Sequence, residues 1–125
     1  MQHAICFDDD LHCLIISTTG PATVRDILAM VDEAIRDSRR RRGTNVIVDY
    51  RRSELDALSG GETHALASVI KKLKEEIGGG RIAHVVSRTV DYGMIRMWEN
   101  LIADEVLFEF QVFFSIDDAR KWVAR

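Results

Sequence analysis

The chain has 125 residues, 46% of them apolar and 30% charged, with a formal net charge of −3 and a sequence pI ≈ 5.8. That balance excludes a disordered chain and suits a single domain, residues 1–125, with a core that needs no metal or disulfide staple. The acidic total argues against nucleic acid as a partner, no apolar run approaches the ~20 residues of a bilayer span, and Met1-Gln2-His3-Ala4 has no signal-peptide character, so the expected setting is cytoplasmic, away from membranes.

Ala4 to Phe7 and Leu11 to Thr18 read as a β-hairpin turning at Asp8-Asp9-Asp10. A turn centred on Asp9 and Asp10 sets Cys6 opposite Cys13, and in a cytosolic protein both are expected as reduced core residues. Gly20-Pro21 ends the second strand. Thr23 with Asp26 opens a helix whose apolar stripe is Val24, Ile27, Leu28, Val31, Ala34 and Ile35. That helix is expected to run out through Arg36 and the cations Arg39 to Arg42, where the macrodipole favours them, and to stop at Gly43.

Val46-Ile47-Val48 is apolar on consecutive residues, as in a strand covered on both faces, and it ends in the polar run Asp49-Tyr50-Arg51-Arg52. Ser59 and Glu62 form a capping box for a second helix with Leu66, Val69, Ile70, Leu73 and Ile77 inward, broken by Gly78 to Gly80. Those glycines precede a strand, whereas phosphate-cradling glycines follow one and open a helix. Ile82 to Val86 is a further buried strand. A third helix is predicted from about Gly93 to Ala103, with Met94, Trp98, Leu101 and Ile102 inward. Phe108 to Phe114 alternates as an edge strand, and Ser115 with Asp118 caps a last helix carrying Ile116, Ala119, Trp122 and Val123.

The order ββαβαβαβα predicts an α/β fold: a five-stranded mixed sheet, mainly parallel, with an N-terminal hairpin and about four helices. Two stretches carry a family resemblance. One is Val46-Ile47-Val48-Asp49 with the Ser59 helix. The other is Asp91 to Glu99 (DYGMIRMWE) with Phe113 to Trp122 (FFSIDDARKW). Together they resemble the STAS domain, and within it the SpoIIAA-like branch of small, mostly uncharacterised bacterial proteins. The resemblance implies a non-enzymatic regulatory module that contacts a protein partner, as anti-sigma-factor antagonists do, and a homodimer is one expected form. Those domains are switched by phosphorylation in an Asp-Ser-Ser-Gly motif. The matching residues here are Ala57-Leu58-Ser59-Gly60, so Leu58 stands where the phosphorylated serine does and Ser59 is only a weak candidate phosphosite. The alternative implied by the likeness to CRAL-TRIO-like proteins is a carrier of a small hydrophobic ligand or lipid.

The residues themselves suggest two candidate sites. Asp49, Arg51, Arg52, Ser59, Arg88, Asp91 and Tyr92 should gather at the carboxyl ends of the central strands, where an anion or an acidic partner side chain is expected. His84, Met94 and Trp98 are candidate pocket residues beneath the third helix. Neither metal-spaced histidines nor a complete set of catalytic groups is present, so no cofactor and no enzymatic activity are expected. A large apolar pocket under that helix favours the carrier; a filled core with a flat exposed patch favours the interaction module.

Overall fold

Every strand after the first runs parallel to its neighbour, and that arrangement distributes the helices. In the computed structural model, which describes residues 1–125, one sheet contains β1 (Gln2–Asp8), β2 (Cys13–Pro21), β3 (Asn45–Glu54), β4 (Arg81–Val85) and β5 (Glu109–Phe113) in the order 1-2-3-4-5. The β1–β2 hairpin is antiparallel and the other three pairings are parallel. Right-handed crossovers taken three times in one direction put their helices on one face. Accordingly α1 (Val24–Arg36), α2 (Gly60–Lys72), the single turn α3 (Lys74–Ile77) and α4 (Thr89–Ile102) lie between β2 and β5 in sequence, and α1, α2 and α4 share one core with Leu14, Ile16, Val48 and Val86. The remaining helix, α5 (Ile116–Ala124), covers the opposite face, packing Ala119 and Val123 with Cys13, Ile47, Ala83 and Val85.

The fold class is the one the sequence predicts, with five helices instead of about four. The extra one arises at Leu73, where φ −94° and ψ 4° interrupt the run expected to continue to Ile77. Two capping boxes form as expected, Thr23 with Asp26 and Ser59 with Glu62. The α1 helix stops earlier than its sequence suggests. Asp37 accepts a hydrogen bond from the Arg39 backbone N–H at 2.9 Å, a local bond that competes with the helix. The arginines beyond it do meet a helix carboxyl end, but that of α3: Arg40 donates to the carbonyls of Glu76 and Ile77, and Arg42 to that of Glu75. The triple glycine does more than break a helix. A Cβ on Gly80 would sit 2.4 Å from the Gly43 carbonyl oxygen, so only glycine lets these two segments pass.

Strand β3 is longer than its apolar run. Residues Val46 to Asp49 pair with β4, and the strand then continues to Glu54 because β2 supplies backbone partners as far as Pro21. A bulge sets Tyr50 and Arg51 against Thr18 alone, between the pairs Ser17–Asp49 and Thr19–Arg52. Asp49 to Arg52 therefore belong to the strand and not to a loop after it. In the hairpin, Cys6 lies opposite Ile15 and Cys13 opposite Asp8, correcting the expected Cys6–Cys13 pairing. The turn spans residues 9 to 12 and needs His12 at φ 49°, which moves the register. On β5 the alternation holds to the end of the strand, with Phe113 packing against Trp122 on the α5 side and Phe114 stacking on Tyr92 of α4, though Phe114 is 53% exposed.

Candidate functional site

Strand order that never reverses leaves no crevice at the carboxyl edge of a parallel sheet. The space in this molecule lies instead between the sheet and the layer of α1, α2 and α4. A cavity of about 110 Å³ extends there, with walls supplied by β2, β3 and β4 below and by Met30 and Ala34 of α1, Leu66 and Ile70 of α2, and Met94 and Trp98 of α4. Twenty of its 23 lining residues are hydrophobic. Helical and strand periodicity explain this lining, since each element presents its buried stripe to the same layer.

The polar groups of the lining are few and placed apart. Arg40 closes one end, bound to the carbonyls of α3. Thr63 donates its hydroxyl to the Ser59 carbonyl at 2.8 Å. The remaining two, Tyr50 and His84, are neighbours from β3 and β4, with ring centroids 6.3 Å apart and near-parallel planes. Trp98 meets the His84 ring edge-on at 5.5 Å. Behind His84 stands Glu99, 1% exposed, whose Oε2 lies 3.3 Å from His84 Nδ1. The other carboxylate oxygen, Oε1, has no hydrogen bond, the nearest cation being Arg96 at 3.6 Å, and Trp98 Nε1 is likewise buried without a partner. Tyr50 is 4% exposed, and burial pushes its hydroxyl well above the usual phenol range, so it stays protonated.

The three candidate pocket residues, His84, Met94 and Trp98, thus come together as cavity wall. Tyr50 joins them in the wall and Glu99 backs His84, two residues that the sequence does not mark as pocket candidates. Glu99 falls four residues after Ile95 and three before Ile102 on a buried stripe, and an acid there beside a lone strand histidine was the available signal.

The charged candidates separate into self-satisfied groups. Asp49 and Arg51 pair through two hydrogen bonds of 2.9 and 2.8 Å on their own strand. Partial burial disfavours the Asp49 charge, but the Arg51 guanidinium and backbone N–H outweigh it and hold the carboxyl below its ordinary range. Arg52 is exposed. Arg88 binds both oxygens of the fully buried Asp91 at 2.8 Å each and also reaches Asp56 at 2.7 Å. Asp91 accepts in addition from the Leu55 N–H at 2.9 Å, so this cluster ties the β3–α2 loop to the start of α4. Tyr92 stacks on Phe114 with centroids 4.9 Å apart. Ser59 caps α2, its oxygen accepting from the Glu62 N–H at 3.1 Å.

No family model matches the sequence, and no curated protein matches it either. Among solved structures, an uncharacterised DUF3478-family protein with a SpoIIAA-like fold, from Shewanella loihica PV-4, is similar over 98% of this chain and 92% of its own. The TM-score is 0.61 at 16% sequence identity. This chain has a SpoIIAA-like fold. At that identity the likeness concerns the fold alone. Within the SpoIIAA-like architecture, Leu58 lies in the loop before α2 and packs against the main core, and Ser59 follows it as the helix cap. No helix is long and apolar enough to cross a membrane.

Proposed function

We propose that this chain is a non-enzymatic STAS-like binding module that holds a small apolar molecule between its sheet and its three-helix layer. The observation that carries the reading is the cavity itself: about 110 Å³, almost wholly apolar, with Tyr50 and His84 as adjacent polar groups. Ligand sites are characteristically concave and apolar with a few placed polar groups. A cavity of roughly 150 Å³ accepts benzene, so this smaller one suits a short branched chain, a single ring needs its helix wall to shift slightly, and long lipids need the helices to part. We read the module as non-enzymatic because Thr63, the aliphatic hydroxyl at the cavity, is already bonded to Ser59. Free thiols at Cys6 and Cys13 favour a cytoplasmic setting. Native mass spectrometry of the protein purified from its own host tests the reading. A bound molecule of roughly ring size is the expected result, and a uniformly ligand-free protein that also fails to take up benzene contradicts it.

A second reading, a module that contacts another protein, is favoured by one observation. Of four exposed large apolar side chains, Val90 and Met97 lie on α4 and Phe114 stacks beside it on Tyr92. The partner this suggests is a second copy of the chain. Sedimentation velocity should then show a dimer that Met97→Glu dissociates, and a monomer at all concentrations removes this reading.

A further inference from the structure

We propose that the polar end of the cavity recognises a hydroxyl group, so that the ligand is a small uncharged alcohol or phenol rather than a plain hydrocarbon or a carboxylate. The inference rests on the cavity being a ligand site. Its own basis is the hydrogen-bonding capacity of His84 and Tyr50.

His84 directs Nδ1 at Glu99 Oε2, 3.3 Å away, which leaves Nε2 as the ring nitrogen open to another partner. Nε2 makes no hydrogen bond within the protein, although His84 is 5% exposed and lines the cavity. Tyr50 is 4% exposed, and its hydroxyl, held protonated by burial of the residue, has no protein partner. Two unpartnered polar side chains therefore stand on the neighbouring strands β3 and β4, with ring centroids 6.3 Å apart and planes inclined by only 18°. A hydroxyl group donates once and accepts twice, and it can satisfy both together. A hydrocarbon satisfies neither. A carboxylate brings a charge into an almost wholly apolar space, where its desolvation is costly.

Size sets the rest of the molecule. At about 110 Å³ the apolar part is no larger than one six-membered ring. Trp98, edge-on to His84, and Met94 form the apolar wall next to the head group. Buried polar atoms left unpaired are costly, so a site built to bond a hydroxyl discriminates strongly against the analogue that lacks it.

The test is isothermal titration of the whole chain with phenol, toluene and benzoate. Phenol should bind at least tenfold more tightly than toluene, and benzoate should not bind. Tyr50→Phe removes a single oxygen and leaves the packing in place, and it should shrink the phenol preference to within about threefold. Changing His84→Leu together with Glu99→Leu removes Nε2 without leaving Glu99 unpartnered, and it should have the same effect. If toluene matches phenol in the unaltered protein, the hydroxyl inference is overturned while the cavity remains a ligand site. If benzoate binds best, it is overturned equally. If none of the three binds, both this inference and the ligand-binding reading fall.

Discussion

His84 Nδ1 lies 3.3 Å from Glu99 Oε2, and the two side chains are 5% and 1% exposed. A histidine on a central strand and a glutamate on a helix thus meet inside an apolar layer, while Glu99 Oε1 and His84 Nε2 remain without a protein hydrogen bond. Each alone is a defect. Removing one partner of a buried pair strands the other and typically costs about 3 kcal/mol or more, whereas replacing both by apolar groups of similar size is often close to neutral. His84→Leu should therefore lower the urea-unfolding free energy by about 3 kcal/mol, and adding Glu99→Leu should recover most of the loss. Equal losses that simply add would show that the two residues do not act as a pair.

The Arg88–Asp91 cluster and the Asp49–Arg51 pair both contain bidentate contacts, but they sit in different surroundings. Asp91 is fully buried and also receives the Leu55 N–H, while Arg51 is an exposed side chain on a strand surface. Asp91→Ala should destabilise the protein by about 2–4 kcal/mol and loosen the loop from Leu55 to Leu58. Arg51→Ala should change stability by less than about 1 kcal/mol. Denaturant titration of the two variants separates these outcomes. Comparable effects would mean that the charged edge is not divided into a structural clamp and a surface pair.

The two cysteines differ in the same way. Cys6 is exposed on the hairpin, whereas Cys13 is fully buried under α5, where burial, reinforced by the nearby Asp8 charge, pushes its thiol up to about 12. Only the thiolate reacts with an alkylating agent. At pH 8 a native sample should label once, at Cys6, and twice after denaturation. Rapid double labelling of the native protein would show that α5 does not cover that face.

Much of this architecture could be read from residue order, because buried parallel strands and amphipathic helices leave strong periodic signals. The capping residues Thr23 and Ser59 were legible for the same reason, as their bonds are local. What escaped depends on partners distant in sequence. The length of β3 is set by how far β2 runs beside it, which Asp49 to Arg52 do not encode. The destination of Arg40 and Arg42 is the end of a helix more than thirty residues away. Among the candidate site residues, His84, Met94 and Trp98 were legible as pocket lining because each lies on a buried face. Asp91 and Arg88 were visible as charges, but their i, i+3 pairing was hidden by a helix expected to begin only near Gly93, and their link to the Leu55 backbone leaves no trace in the spacing. Glu99 was hidden because burial of an acid becomes intelligible only once its strand partner is known.

The central claim is that the space between the sheet and the helices receives a small molecule. Methyl-resolved NMR of the labelled chain during titration with benzene tests it most directly, because the cavity wall is rich in isoleucine. Saturable shifts are predicted at Ile16, Ile27, Ile70 and Ile95, which line the cavity, with Val90 and Leu107 on the surface unmoved. Shifts confined to those surface residues, or no saturable shift at any methyl, would contradict the account.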